Sequence, residues 1–125
     1  PSAAECLSHF LQEKIAEKPE RQIILIVAMM CDKDPNGFLQ KLFPIVKTFI
    51  FTQIKHPRSA TPDELRKQVN EEHTSVYTCL DPNDALSLAL RLAKSQDMIC
   101  ITGSLFLVGY VKSFLSGCAY APVVG

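Results

Sequence analysis

At 125 residues, with 47% apolar side chains, the chain has the size of one domain with a real core and is too short for two ordinary enzyme domains. Thirteen basic and thirteen acidic side chains cancel, so no net field draws it to nucleic acid or to an anionic membrane. The longest apolar run, residues 23–31, is far too short to span a bilayer, and residues 1–10 carry no visible secretory signal.

Residues 2–17 place Leu7, Phe10, Leu11 and Ile15 on one helix face, and Pro19 stops that helix. Residues 22–30 are nearly continuous Ile, Leu, Val and Met, as in a strand of a parallel sheet buried on both faces. A polar turn follows, in which Asp34 or Asn36 caps a short helix through Phe38, Leu39 and Leu42, ended by Pro44. Residues 48–54 read as the next strand, and residues 55–60 as a loop holding His56-Pro57-Arg58. Thr61, Pro62 and Glu64 form a capping box with proline at the first helical position, opening a helix to about Asn70. Residues 75–79 make a short strand. Asp81-Pro82 then repeats the cap-and-proline device and opens an Ala/Leu-rich helix to about Lys94, whose Leu86, Ala89, Leu90 and Ala93 are core packing.

The apolar run 98–101 breaks at Thr102-Gly103-Ser104, and the spacing of Leu105, Val108 and Leu115 predicts a helix that Ser104 caps. Gly103 permits the tight turn there. A helix start at the carboxyl edge of a sheet offers N–H groups and a positive dipole end to an anion. The plain alternative is a cap without a ligand. Residues 118–125 are expected to be a tail; Tyr120, Val123 and Val124 favour extended backbone, but Pro122 argues against a central strand. Alternating helices and strands predict a three-layer α/β/α, Rossmann-like domain with a mostly parallel sheet.

The five cysteines (Cys6, Cys31, Cys79, Cys100, Cys118) are odd in number and widely spaced, and His9, His56 and His73 are scattered. This pattern argues against disulfides and a zinc site and for the reducing cytoplasm. Cys100 reads as a strand residue rather than a nucleophile.

Taken in order, Asp32-Lys33-Asp34 after an apolar strand, His56-Pro57-Arg58-Ser59-Ala60 with Pro62-Asp63-Glu64-Leu65, Asp81-Pro82-Asn83-Asp84-Ala85, and Thr102-Gly103-Ser104-Leu105-Phe106-Leu107-Val108-Gly109 form an ordered set. The set resembles the carboxyl-terminal domain of folylpolyglutamate synthase/dihydrofolate synthase, in the Mur ligase superfamily. The resemblance covers residues 1–115 and implies a Mur ligase C-terminal-like unit over residues 1–117, with 118–125 as the tail. It implies an ATP-dependent ligase that activates a folate or dihydropteroate carboxylate as an acyl phosphate for attack by L-glutamate. ATP and Mg2+ would sit mainly on an amino-terminal P-loop domain, the partner of this one. Closure of the two domains would exclude water from the intermediate.

Under that resemblance Ser104, Arg58, Asp32 and Lys33 are the substrate-binding candidates. Gly103 and Ser104 are the candidates for nucleotide phosphate. A solvated or salt-bridged arginine at 58, and a capping turn with solvated charges at 32–34, are the structural alternatives. His56 reads as a loop residue. Two departures qualify the match. No G-x-x-x-x-G-K-[ST] occurs, and the family's strand ending in Asp-Gly-Ala-His-Asn does not precede the first helix. The chain is therefore expected to be a fragment that does not catalyse alone. A tail, a second copy forming a homodimer, or a further segment is expected to cover the sheet edge left by that strand. The competing readings are a free-standing, non-catalytic α/β anion-binding or interaction module, and the corresponding domain of a Mur peptidoglycan-precursor ligase.

Overall fold

A computed structural model describes residues 3–31, 34–72, 74–102, 107–113 and 117–123, the last two stretches as backbone. Four helices, α1 (Ala3–Glu17), α2 (Pro35–Leu42), α3 (Pro62–Arg66) and α4 (Pro82–Leu92), alternate with β1 (Ile23–Val27), β2 (Thr48–Phe51), β3 (Ser75–Thr78) and β4 (Met98–Thr102). Two further strands follow, β5 (Leu107–Ser113) and β6 (Gly117–Val123). The sheet order is β3-β2-β1-β4-β5-β6. The first four strands are parallel, and β5 and β6 are antiparallel additions on the β4 side.

Side-chain alternation along β1 decides which core each residue joins. Ile23, Leu25 and Val27 meet Leu7 and Leu11 of α1, Leu39 and Leu42 of α2, and Leu65 of α3. In the same layer Leu25 lies between Phe49 and Cys100 in register, and the Phe49 and Phe51 rings stack at 5.5 Å. Ile24, Ile26, Ile50 and Ile99 face the other way, onto Ala85 and Ala89 of α4 and its C-cap Ala93, whereas Leu90, expected in the core, is exposed. Those alanines recur every fourth residue, and their small side chains let α4 lie close against the β-branched surface. Three layers result, as the sequence leads one to expect. The chain runs outward from β1 through β2 to β3 and then returns under α4 to β4, on the other side of β1. Crossovers of one hand running in opposite directions place their helices on opposite faces, and the switch point falls between β1 and β4.

The caps follow the local chemistry. Thr61 and Glu64 close the capping box, and Asp81 accepts from the Asn83 N–H at 2.8 Å. Asp34, rather than Asn36, caps α2, accepting from the Gly37 N–H at 3.2 Å from a left-handed backbone at φ 47. A Cβ on Gly37 would run into that carboxylate. Gly37→Ala is therefore expected to displace the cap and lower stability by about 1 kcal/mol in urea unfolding, with no such loss when Asp34 is already alanine.

Two expectations are corrected. α3 ends at Arg66 instead of near Asn70. The chain turns there through tighter bonds, Gln68 N–H to Leu65 O and Val69 N–H to Arg66 O, which bring Val69 into the core. The second correction concerns the helix expected after Ser104. Residues 107–113 are a strand, paired residue for residue with β4 from Met98↔Val111 to Thr102↔Leu107. The spacing of Leu105, Val108 and Leu115 suits a helix, but Val108, Tyr110 and Val111 are β-prone and Gly109 disfavours a helix interior. The open flank of β4 decides the matter, because its backbone groups need partners. Residues 117–123, read as a tail with β-prone side chains, form an edge strand on β5, the position that Pro122 permits. The strands that cover the β4 flank come from the same chain.

Candidate functional site at the carboxyl edge of the sheet

The carboxyl ends of β1, β2 and β4 meet because the segment after β1 keeps bonding to both neighbours. Thr52 donates its N–H to Val27 O at 2.9 Å, and Ala28 donates to Thr102 O at 3.2 Å. Ala60 then donates to Met29 O at 2.8 Å, and Cys31 donates to Arg58 O at 2.7 Å. Met30 and Ser59 form an antiparallel bridge between these two bonds. Residues 28–31 thus thread between the end of β4 and the 54–60 loop, fixing Arg58 to the backbone just ahead of position 32.

The loop is braced from within. His56 Nδ1 accepts from the Arg58 N–H at 3.0 Å, His56 O accepts from the Ser59 N–H at 3.0 Å, and Ser59 Oγ accepts from the Ile54 N–H at 3.2 Å. With Nδ1 accepting, a neutral His56 carries its proton on Nε2. Its part is to shape the loop, in keeping with the sequence reading. Arg58 is exposed on this braced turn, and a guanidinium so presented suits a carboxylate or phosphate in bidentate fashion.

Of the other candidates, Asp32, Lys33, Gly103 and Ser104 lie outside the described residues, as do His73 and the Cys118 side chain. Their described neighbours Cys31 and Thr102 flank the switch point. No helix occupies 107–113 to aim a dipole at Ser104, so that part of the anion-binding argument loses its physical basis.

Thr52 and Thr102 escaped the sequence reading. They are buried polar residues, 1% and 8% exposed, at the ends of β2 and β4. The Thr52 hydroxyl has no partner among the described residues. Their placement becomes legible only once the strand ends are known. From Gln53, the residue after Thr52, a cleft of about 380 Å³ opens between the ends of β2 and β3, lined also by Thr61, Asp63, Thr78, Cys79 and Leu80. Leu80 is 73% exposed, the most exposed large apolar side chain among the described residues.

Among the described residues no three His, Cys, Asp or Glu side chains are grouped to hold a metal ion. No helix there is long and apolar enough to cross a membrane. Cys6, Cys31, Cys79 and Cys100 are free thiols. Burial pushes the Cys100 thiol up to about 12. Cys79 is raised first by burial and then by Asp84, against the opposing pull of Arg91. Iodoacetamide at pH 8 should therefore modify exposed Cys6 and Cys31 first, Cys79 slowly, and Cys100 only after unfolding, as peptide mass spectrometry would read. Because the folded thiol holds its proton more tightly than the unfolded one, the Cys100 contribution to stability is complete below about pH 9. It is lost as the pH rises towards 12.

The family model described as "Mur ligase, glutamate ligase domain" matches residues 1–105. A curated dihydrofolate synthase/folylpolyglutamate synthase of Haemophilus influenzae is 27% identical over 110 residues, 86% of this chain and 25% of that protein. The bifunctional folylpolyglutamate synthase/dihydrofolate synthase of Yersinia pestis, solved with AMPPNP and Mn ion, superposes with a TM-score of 0.68 at 26% identity. The match covers 81% of this chain and 22% of that one. Escherichia coli FolC with DHPP and ADP matches in fold, with a TM-score of 0.68 at 18% identity over 82% of this chain and 24% of that one. The chain thus spans about a quarter of the length of the relatives it matches. With a family model matching residues 1–105, and a fold shared with these ligases, the chain belongs to the Mur ligase, glutamate ligase domain family.

Proposed function

We propose that this chain is the carboxyl-terminal, substrate-binding domain of an ATP-dependent folate–glutamate ligase of the folylpolyglutamate/dihydrofolate synthase kind. The observation that carries the reading is the backbone-fixed Arg58 turn beside the switch point, on a fold shared with such ligases. In this reading Arg58 holds a carboxylate of L-glutamate. Asp32 and Lys33, following β1, complete the substrate side, and Gly103 and Ser104, following β4, approach the nucleotide phosphate. The reaction class is amide formation. The folate or dihydropteroate carboxylate is activated as an acyl phosphate, the glutamate amine attacks its carbonyl carbon, phosphate leaves and the amine loses a proton.

The contribution of this chain is to orient the amine and keep water away, which converts a bimolecular encounter into a positioned one. In this reading ATP and Mg2+ belong mainly to the P-loop partner. The four free thiols among the described residues support a cytoplasmic setting.

The test joins this chain to a P-loop domain and the Asp-Gly-Ala-His-Asn strand of the family, and measures phosphate release from ATP. Release that requires both glutamate and a folate or dihydropteroate acceptor supports the proposal. Turnover with a UDP-linked acceptor alone reassigns the chain to peptidoglycan-precursor synthesis. Ligand binding without turnover on any acceptor replaces the reading with a non-catalytic module.

A further inference from the structure

The larger cleft, about 510 Å³, lies at the opposite, amino-terminal edge of the sheet, between the last turns of α1 and the turns that lead into β1 and β2. β1 separates the two edges by about 16 Å, at 3.3 Å per residue. Arg21 lines this cleft with a side chain only 6% exposed. Its Nε donates to Gln96 O at 2.7 Å, and Nη1 donates to Lys14 O at 3.2 Å and stands 3.6 Å from Glu17. Glu17 is shared with the Lys14 ammonium at 3.4 Å, so it does not neutralise Arg21 alone. Among the described residues Nη2 takes no partner. The Nη2 amino group is not itself buried, so it is left to solvent and can be taken by a ligand, while the rest of the guanidinium is held fixed.

Lys47 lines the same cleft, exposed and without an ion pair among the described residues. Two helix C-termini also point to this edge, and their negative ends would oppose an anion. Some of their last carbonyls are already taken: Lys14 O by Arg21, Ile15 O by Lys18, and Leu42 O by Ile45 and Val46. Glu20 is the acidic side chain on the wall, and Ile15 and Ile45 supply apolar surface.

We propose that this amino-edge cleft binds a small organic carboxylate. Its carboxylate bridges Arg21 Nη2 and Lys47, and its apolar body lies on Ile15 and Ile45. The volume falls in the range of small-ligand pockets. The site is separate from the carboxyl edge and does not depend on the function assigned there; a ligand held here acts as an effector rather than a substrate.

The experiment is a ¹H–¹⁵N titration of the chain with sodium benzoate, repeated with benzyl alcohol and with inorganic phosphate at matched ionic strength. Saturating shifts confined to residues 12–22 and 44–47 and the Arg21 Nε–H, with no response to benzyl alcohol, are expected. Lys47→Gln, a change at an exposed side chain, should weaken benzoate about tenfold, the scale of one charge-assisted bond, while Arg58→Ala leaves it unchanged. Equal shifts from benzyl alcohol, shifts centred on the carboxyl edge, or no effect of Lys47→Gln would overturn the site. Phosphate binding as tightly as benzoate would overturn the role of the apolar wall.

Discussion

Asp97→Ala is expected to lower the unfolding free energy by about 2–4 kcal/mol, because it strands two backbone donors at once. The Asp97 side chain accepts from the Gln22 N–H at 3.1 Å and the Lys94 N–H at 2.9 Å, and the residue is 7% exposed. It couples the start of β1 to the turn before β4, and the backbone adds Met98 N–H to Gln22 O at 3.0 Å. In that turn Gln96 is held at φ 75, a costly conformation for a non-glycine residue. The Arg21 bond to its carbonyl helps keep it there. Asp97→Asn retains one accepting oxygen and should cost about half as much as alanine. Urea midpoints at constant m-value would check both. Equal stability of the alanine variant would show that water replaces the carboxylate and that the clamp is incidental.

In the joined ligase, Arg58→Ala is expected to reduce kcat/KM for glutamate by about 10- to 100-fold, chiefly through KM, the size of a lost charge-assisted pair. The loop should survive the truncation. Its bracing bonds use the Arg58 backbone: the N–H to His56 Nδ1 and the carbonyl to the Cys31 N–H. Arg58→Lys keeps the charge but loses the planar fork and should recover only part of the loss. If alanine and lysine variants both match the parent in glutamate KM, the side chain is a solvated arginine and the substrate contact lies elsewhere.

What the sequence revealed and what it hid divides along the range of the interactions. Thr61 with Glu64, and Asp81 with Asn83, are capped by partners two or three residues away, and such chemistry can be read without a fold. The same holds for the doubly buried run of β1 and in part for α4, where Ala89 and Ala93 of the expected stripe are buried but Leu90 is exposed and Ala85 takes its place in the core. The clamps of Arg21 on Gln96 and of Asp97 on Gln22 each join residues 75 apart, and no local pattern announces them. Residues 107–113 were misread because their apolar spacing satisfies two periods, and the deciding factor was a strand flank elsewhere that needed partners.

The candidate site was legible in part. A loop arginine among prolines after a β-rich run announced Arg58. What holds it, antiparallel pairing between the segments after β1 and β2, depends on strand order. Thr52, buried at the end of β2, could be identified only after the strand was seen to stop at Phe51.

The most direct measurement is hydrogen exchange by mass spectrometry on the joined ligase, with and without L-glutamate in the presence of ATP and acceptor. Slower exchange in peptides covering residues 28–34, 54–60 and 98–104, with the amino-edge turns unchanged, is the predicted result. Protection absent from all three carboxyl-edge segments, in an enzyme that is turning over, would contradict the assignment of that edge to glutamate.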